Sequence, residues 1–380
     1  MSLARRHWLV RLLLAGGLIP PLAGGSPLRA ATTRFAPVLP GTRLTFPRDH
    51  GAHPEFRIEW WYLTGWLDTP AAQPERAVGV QITFFRLATG WQRDHASRFA
   101  ARQLLFAHAA LAIPGRGRLI TAERVARAGL GLAEASDTDT NLSIGDWRLS
   151  RDSADRYQAR IVDPALTIDL TLQAHRPPLL QGELGFSRKG PSTAQASYYY
   201  SRPWLEATGR ISVPAAARAL PMPTAGELKG PVWFDHEWSS ELLDPEAQGW
   251  DWVGLHLNDG SALMAFRIRR RTGEDLWRTA NWVNTAQEPL LSATQAESIR
   301  FETLRSWRSP RTSASWPVAQ RLYIGGRTLE LQPLFDDQEL QTQGSTGVTY
   351  WEGAVTVHEA NRVIGRGYLE LTGYAQAMRI

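Results

Sequence analysis

Alternating apolar and polar side chains dominate the chain beyond residue 31. Leu166 to Gln173 alternates strictly, which is the period of a strand with one buried and one solvated face. Turn sequences such as Asn258-Asp259-Gly260 separate runs of this kind, and only Thr121 to Ala135 has a helical period. The sequence therefore predicts an all-β protein of antiparallel barrels or sandwiches. Further predicted strands lie at Ala77 to Leu87, Tyr157 to Val162, Ser261 to Ile268, Gly347 to Val357 and Arg366 to Tyr374.

The strand pattern also recurs once along the chain. Residues 60–68 align with residues 250–258, and a turn and a second strand containing Phe-Arg-aliphatic follow each run. Two similar β domains explain this recurrence. The Pro- and Gly-rich stretch 213–230 is the predicted seam between them. The predicted divisions are a leader at 1–30, an N-terminal domain at 31–225 and a C-terminal domain at 226–380.

The first 30 residues have the features of an export signal. Arg5-Arg6 is a twin arginine, an interrupted apolar stretch runs from Leu12 to Leu22, and Leu28-Arg29-Ala30 resembles a cleavage site. The apolar stretch is shorter than the roughly 20 residues that a membrane-spanning helix needs. We expect twin-arginine export, a mature start near Ala31, a periplasmic or secreted location and no transmembrane segment in the mature chain.

Composition narrows the function classes. The 380 residues include no Cys, which excludes disulfides, thiolate metal sites and a cysteine nucleophile. Four arginines and no acid lie in residues 1–30, so the formal net charge of +5 falls to +1 beyond residue 30. No basic run interleaved with aromatics occurs, so we expect no nucleic-acid partner. Sixteen Trp beside two Lys indicate a chain built around aromatic side chains.

The first candidate site is the strand predicted at residues 58–67. Trp60 and Tyr62 share one of its faces, while Glu59 and Trp61 share the other. Such an aromatic wall is either barrel core or the lining of a ligand pocket. A carboxylate beside apolar rings is costly to bury unless it is paired, and Arg57 on the same face is the expected partner of Glu59.

Motifs for metal, cofactor and nucleophilic chemistry are absent from the sequence. His50, His53 and Glu55 could form a metal triad, but they lack the helical spacing of metalloprotease sites, and loop residues that order a strand entrance are the preferred interpretation. No Gly-x-Ser-x-Gly elbow, P-loop or dinucleotide fingerprint occurs. We therefore expect neither a metal nor a cofactor.

The second candidate site is the strand that carries His236. Phe234, His236 and Trp238 point to one side of an extended strand, and Asp235 points to the other, so Asp235 is poorly placed to orient His236. An imidazole between rings in a dry lumen can transfer protons. A buried, hydrogen-bonded histidine without chemistry is the alternative. Asp251, between Trp250 and Trp252, is the nearest further carboxylate with aromatic neighbours.

Five ordered segments of the chain carry a family resemblance. They are His53 to Leu67, Tyr198 to Pro203, Trp233 to Trp238, Gly249 to Trp252 and Gly365 to Tyr374. Together they resemble the AttH / carotenoid 1,2-hydratase (hydroxyneurosporene synthase) family. The resemblance covers about residues 45–377 and implies two lipocalin-like β-barrel domains with an apolar isoprenoid or lipid-like ligand. It also implies a family often described as secreted hydrolases, although this chain has no nucleophile motif.

The resemblance further implies hydration of an isolated carbon–carbon double bond without a cofactor. Protonation gives a tertiary carbocation, which electron-rich rings stabilise, and water then adds. The His-x-Trp pair of the hydratases corresponds to His236 and Trp238. The Tyr-x-Asp acid has no counterpart, because Ala262 to Phe266 contains no carboxylate. The remaining candidates for the acid are Asp235, Glu237, Asp251 and Glu59, and Asp251 is the first choice because of its position between two tryptophans.

The sequence therefore supports two candidate functions. The first is an exported lipocalin-like protein that binds an apolar isoprenoid or acyl ligand and catalyses acid–base hydration or isomerisation of a double bond. The second is a non-catalytic periplasmic lipid carrier that serves a transport system. The predicted catalytic residues are His236, Trp238 and Asp251. The predicted ligand-binding residues are Glu59, Trp60, Trp61, Tyr62, Asp235, Trp250 and Trp252.

Overall fold

The fold is taken from a computed structural model. It describes residues 35–69, 76–90, 97, 99–214, 228–241, 243–295 and 299–378. These residues belong to one compact unit. The predicted export signal at 1–30 and the predicted boundary between residues 225 and 226 lie outside them. No helix in this part of the chain is long and apolar enough to cross a membrane.

Two antiparallel sheets make up the described part of the chain, so the all-β prediction is confirmed. A turn of 3-10 helix at Arg48–His50 precedes the first strand. The first sheet contains β1 (Ile58–Leu67), β2 (Val78–Ala88), β3 (Gln103–Ala112), β4 (Ile120–Arg127), β5 (Ala133–Ala135), β6 (Asn141–Ile144), β7 (Trp147–Arg151), β8 (Arg156–Val162), β9 (Thr167–Gln173), β10 (Leu179–Leu180), β11 (Phe186–Arg188), β12 (Ala196–Ser212) and β13 (Leu228–Ser239). The second contains β14 (Ala247–Leu257), β15 (Ala262–Arg270), β16 (Asp275–Val283), β17 (Pro289–Thr294), β18 (Arg300–Arg308), β19 (Ser315–Ile324), β20 (Arg327–Pro333), β21 (Glu339–Gln341), β22 (Thr349–Glu359) and β23 (Arg362–Leu371).

One segment differs from its predicted secondary structure. Thr121 to Ala135 has a helical period but forms β4 and β5. Gly129, Leu130 and Gly131 all have positive φ, between 58° and 86°, which a helix does not accommodate. The three residues form a turn, so the chain reverses where the helix was expected to continue.

The first sheet curls into a nearly closed barrel. Its strand order is β4-β3-β2-β1-β13-β12-β9-β8-β7-β6-β5, and β10 and β11 pair with β12. Arg124 on β4 donates to the carbonyls of Ile144 and Val162, at 3.2 and 2.9 Å, on the far end of the sheet. These contacts bring the two ends of the sheet together.

The second sheet repeats the topology of the first. Its order is β17-β16-β15-β14-β23-β22-β20-β19-β18, with β21 paired to β22. A four-strand meander, β1 to β4 or β14 to β17, starts each sheet, and β13 or β23 pairs with its first strand. β13 starts beyond the predicted domain boundary, yet it pairs with β1 and β12. The chain therefore changes sheets between Ser239 and Ala247.

Strand alternation divides the buried side chains into three cores. Trp61, Leu63 and Phe234 fill the first barrel, and Val253 and Leu369 belong to the core enclosed by the second sheet. The third core lies between the sheets and combines side chains of both, because one face of each sheet is packed against the other. It includes Tyr62, Trp66, Tyr199, Trp233, Trp252, Phe266 and Tyr368.

Polar contacts also cross from one sheet to the other. His108 Nδ1 lies 2.7 Å from Tyr350 Oη, and its Nε2 lies 2.9 Å from Ser345 Oγ. Asp68 at the end of β1 accepts two hydrogen bonds from Arg366 on β23, at 2.6 and 2.8 Å. These bonds fix the relative register of the two faces around the third core.

Candidate active site between the two sheets

β13 carries candidate residues on both of its faces. Phe234 and Trp238 pack in the first barrel, whereas Trp233 packs in the core between the sheets. His236 accordingly points into the barrel, and Asp235 points towards the second sheet. The predicted alternation is confirmed, and neighbouring residues of one strand belong to two different polar clusters.

The first cluster, which we call the Glu59 cluster, consists of His53, Glu59, Arg86 and His236. Glu59 Oε1 lies 2.7 Å from His53 Nδ1 and 2.8 Å from His236 Nε2. Arg86 Nε donates to Glu59 Oε2 over 2.7 Å. Arg86, opposite Glu59 on β2, is the partner that Arg57 was expected to be, since Arg57 is exposed.

Charge compensation sets the protonation states in the Glu59 cluster. Burial alone would raise the pKa of Glu59, but Arg86 and His53 outweigh it and hold the pKa well below its usual value. Burial lowers the pKa of His236 to about 4, although Glu59 opposes the shift. For His53 the carboxylates of Glu59 and Asp49 prevail over burial and raise the pKa. Glu59 is therefore an anion held by the Arg86 guanidinium, by His53, whose pKa it raises, and by the neutral imidazole of His236.

His236 is enclosed on all sides by this arrangement. Its side chain is 0% exposed, its Nδ1 lies 3.2 Å from Tyr200 Oη, and its Nε2 is held by Glu59. Trp61 stacks on its ring at 4.6 Å, and Trp238 stacks on His53 at 3.7 Å. Both ring nitrogens have hydrogen-bond partners. This geometry fits the alternative expected from the sequence, a buried, hydrogen-bonded histidine without chemistry.

His53, Glu59 and His236 are also the residues that could hold a metal ion. One ligand atom of each lies within 4.8 Å of the others, and two histidines with a carboxylate are a common donor set for zinc or iron. The set differs from the His50, His53 and Glu55 triad considered from the sequence. Both histidine nitrogens face the same carboxylate oxygen, and Arg86 supplies a counter-charge. Hydrogen bonds and charge balance therefore account for the geometry.

The second cluster lies between the sheets, and we call it the interface cluster. It comprises Asp235 and Glu237 of β13, Lys189, Tyr199 of β12, and Glu352 and Glu370 of the second sheet. Asp235 accepts hydrogen bonds from Ser201 Oγ, Trp233 Nε1 and Tyr199 Oη, at 2.5, 2.7 and 2.8 Å. Burial nevertheless raises the pKa of Asp235 to about 7.

The second sheet presents two acids to this face. Burial raises the pKa of Glu370 to about 7, and the nearby Glu237 and Asp235 add to the shift. Trp250 Nε1 donates to Glu370 over 3.0 Å. Glu352 lies directly opposite Glu370 in the β22–β23 pairing and accepts a 2.7 Å bond from Tyr62 Oη. Burial, with Glu370 beside it, raises the pKa of Glu352 well above its usual value.

Lys189 brings positive charge to the interface cluster. Its ammonium lies 2.8 Å from Glu237 Oε1 and over the rings of Tyr199 and Phe266, at 4.7 and 4.2 Å. Of the four acids, Glu237 is thus the one with a charged partner in the part of the chain that the structure describes. The other three acids, whose pKa values are raised by burial, lie among Trp and Tyr rings.

Asp251 lies in neither cluster. It faces the interior of the second sheet, where Arg267 and Arg269 donate to it over 2.8 and 2.9 Å and Tyr374 Oη over 3.0 Å. Burial alone would raise the pKa of Asp251, but the two arginines outweigh it and lower the pKa. The structure thus places Asp251, the first choice of proton donor, as a paired carboxylate apart from His236 and Trp238.

The internal repeat shows where the two sheets have diverged. Glu59 is opposite Arg86 in the β1–β2 pairing, and Asp251 is opposite Arg267 in the β14–β15 pairing. The strand register thus matches Glu59 with Asp251. It is shifted by two residues from the sequence alignment of 60–68 with 250–258. Leu369 and Leu371 then occupy the positions of His236 and Trp238. Histidine and tryptophan at these two positions belong to the first barrel only.

Comparison with known proteins places this architecture in a family. A family model described as AttH-like matches residues 37–374. This chain belongs to the AttH-like family. A crystal structure of an AttH protein from Nitrosomonas europaea is 44% identical, with a TM-score of 0.79, and covers 90% of this chain and 100% of that chain. No curated protein matches significantly.

A more distant solved structure shares the AttH-like fold. Kievitone hydratase from Nectria haematococca is 15% identical, with a TM-score of 0.62, over 91% of this chain and 97% of that chain. At this identity the likeness concerns the fold.

The AttH-like fold sorts the predicted site residues into three places. Glu59, Trp61, His236 and Trp238 meet inside the first barrel. Tyr62, Asp235, Trp250 and Trp252 face the region between the sheets, where the partly buried Trp60 also packs. Asp251 lies apart from both sets.

Sequence reasoning missed several residues of the AttH-like site. Arg86, Lys189, Tyr199, Glu352 and Glu370 were not singled out. Tyr199 and Glu370 lie in segments that carried the family resemblance, and Lys189 is one of two lysines in the chain. Glu352 carries no local signal, because a glutamate in an alternating strand normally indicates a solvated face.

Proposed function

We propose that this AttH-like protein adds water to a carbon–carbon double bond of an apolar isoprenoid or acyl ligand bound between the two sheets. One observation carries the proposal: Asp235 and Glu370, one on each sheet, have pKa values near 7 among aromatic rings. Carboxyl groups with such pKa values can donate and accept protons at neutral pH. The AttH-like membership and the fold shared with kievitone hydratase support it.

The two carboxyls differ in ways that suit opposite roles. Glu370 is partly exposed and accepts a bond from Trp250, so its proton can reach a ligand. Asp235 accepts three hydrogen bonds, which favour its carboxylate form over that of Glu370. We assign Glu370 as the proton donor and Asp235 as the group that takes a proton from the attacking water.

The reaction balances with these groups alone. The Glu370 proton bonds to the less substituted alkene carbon, and the π electron pair supplies that bond. The resulting carbocation is attracted to the neighbouring Trp and Tyr rings by roughly 0.5–2 kcal/mol per ring. Water oxygen then bonds to the cation and loses a proton to Asp235. Transfer of that proton through water returns Glu370 to its acid form, with no net oxidation or reduction.

The test measures turnover after the carboxyls of Asp235 and Glu370 are replaced. His236, next to Asp235 but on the opposite face of β13, serves as the comparison. The probe is a panel of acyclic isoprenoids and unsaturated fatty acids, and mass spectrometry in ¹⁸O-labelled water detects added water. We expect Asp235→Asn and Glu370→Gln each to lower turnover by about 10²–10⁴-fold, the usual contribution of a general acid or base. Glu134→Gln, which changes an exposed acid on β5, is the matched control.

Two outcomes would contradict the assignment. Full turnover in folded Asp235→Asn and Glu370→Gln would remove these carboxyls from the chemistry. Loss of turnover confined to a folded His236→Gln variant would move the reaction into the first barrel. Circular dichroism and unfolding midpoints establish that each variant is folded.

The carrier interpretation predicts a different result. A carrier serving a transport system would bind members of the panel and release them unchanged. Native mass spectrometry of protein from its own compartment then shows an unmodified lipid.

A periplasmic or secreted location, through the signal predicted at residues 1–30, is part of the proposal. Cell fractionation tests it.

A further inference from the structure

A cavity opens beside the end of β1, the start of β13 and the part of β12 around Trp204. Its volume is about 480 Å³, which is within the usual range for small-ligand sites. Its walls combine one aromatic side chain with several charged ones. The residues that define it are Asp68, Arg176, Trp204, Glu206, Lys229 and Pro231.

The acids at this cavity already have partners. Asp68 accepts two bonds from Arg366, and Glu206 Oε2 lies 3.1 Å from His175 Nε2. Arg176 and Lys229 have no acidic partner among the residues that the structure describes. The cavity therefore presents two cations without an acidic partner in the described part of the chain, beside the carboxylate of Glu206.

The Arg176 side chain is held in place by stacking and keeps an unpaired donor within the described structure. Its guanidinium lies over the ring of Trp204, 4.1 Å from the centroid, and its Nη1 is buried without a hydrogen-bond acceptor among the residues that the structure describes. A buried donor without an acceptor is costly, and a ligand oxygen at this position would remove the cost. Trp204 is fixed in turn, because its Nε1 donates to the Gly260 carbonyl over 3.1 Å.

The cavity lies on the same strand face as the interface cluster. Pro231, Trp233 and Asp235 alternate along β13, so all three point towards the second sheet. Pro231 and Asp235 are four steps apart along the extended strand, which is a rise of about 13 Å. Trp233 lies between them, and its Nε1 donates to Asp235 over 2.7 Å. An aromatic side chain thus connects the cavity to the acids.

We propose that this cavity binds the carboxylate of an unsaturated fatty or isoprenoid acid, held by Arg176 and Lys229. The acid's chain runs along Trp233, so that a double bond in mid-chain reaches Asp235 and Glu370. The head-group site stands on the cavity and its cations, and the placement of the double bond rests on the proposed function. Arg pairs with a carboxylate through two parallel hydrogen bonds, which fixes the position of the chain.

The test measures binding separately from turnover. Tryptophan fluorescence is titrated with oleate and with oleyl alcohol, which share a tail and differ in the head group, below their aggregation concentrations. We expect oleate to bind at least about tenfold more tightly, because it makes charge-assisted bonds that the alcohol lacks. In the Arg176→Gln/Lys229→Gln variant the two compounds should bind alike.

A second double variant controls for loss of charge. Arg148→Gln/Arg160→Gln removes two exposed arginines that face each other on β7 and β8, and it should keep the preference for oleate. Equal binding of the two compounds to the wild-type protein would overturn the proposal. So would a preference for oleate that survives in the Arg176→Gln/Lys229→Gln variant.

The same titration separates this proposal from the proposed function. Asp235→Asn should keep the preference for oleate while losing turnover. A wild-type protein that prefers oleate but hydrates nothing in the panel would contradict hydration and leave the head-group site standing.

Discussion

At the scale of single residues, burial acts on carboxyl groups in opposite directions according to their partners. Glu59 is fully buried yet remains an anion, because Arg86 and His53 lie against it. Asp235 is almost as buried but has only neutral donors, and its pKa rises to about 7. A charged partner within hydrogen-bond distance thus separates a structural carboxylate from a group suited to proton transfer.

Removal of the Glu59 charge should be strongly destabilising. Glu59→Gln leaves Arg86 and His53 buried without their counter-charge, which costs about 3–5 kcal/mol of unfolding free energy in comparable buried pairs. Urea unfolding followed by circular dichroism measures the loss. Glu134→Gln on the exposed side of β5 should change the free energy by less than about 0.5 kcal/mol. A similar small change for Glu59→Gln would show that the Glu59 cluster contributes little stability.

The interface cluster should make stability fall as pH rises. Asp235 and Glu370 have folded pKa values of about 7, above their unfolded values of 3.8 and 4.5. The folded state therefore binds more protons in this interval. The stabilisation is fully present below the unfolded values and is lost as pH rises through about 7. Denaturant unfolding between about pH 4.5 and 8 should show a steeper decline for wild type than for Asp235→Asn/Glu370→Gln. Parallel curves would contradict the raised pKa values.

At the scale of strands, the sequence predicted which side chains of β13 share a face. It did not predict which of the two faces holds structural residues. The sequence places His236 and Asp235 on opposite faces of β13, and both faces are buried. Which face holds structural residues depends on what packs against it. The side-chain pattern also leaves the register of the internal repeat undetermined, because a shift of two residues keeps every side chain on its face. The sequence alignment paired Trp60 with Trp250, whereas strand pairing matches Trp60 with Trp252.

At the scale of the whole molecule, the two sheets share one core and enclose the site between them. Tyr62 and Trp233 of the first sheet pack with Trp252 and Tyr368 of the second. Each set would be exposed without the other sheet. The carboxyls of the interface cluster owe their raised pKa values to this packing, so the proposed hydration should depend on how closely the sheets approach.

Gly79 offers a direct test of that approach. A Cβ at this position would lie 2.6 Å from Tyr368 Oη and 2.7 Å from Ala354 Cβ, both in the second sheet. Gly79→Val should therefore cost about 1–3 kcal/mol or more in urea unfolding, because the sheets must move apart. Ser143→Val, at a partly exposed position of β6, adds a similar side chain where there is room. Equal stability of the two variants would show that the interface tolerates separation.

The sequence by itself determined the all-β class, the two related sheets, the faces of β1 and β13, and the family resemblance. These features follow from side-chain period and local motifs, which a chain displays without its partners. Only the tertiary structure decided that Arg86 pairs with Glu59, that Asp251 is a paired anion, and that Glu370 joins Asp235. Such pairings join residues separated by tens to hundreds of positions, and the pKa values that decide their chemistry arise from burial that packing alone creates.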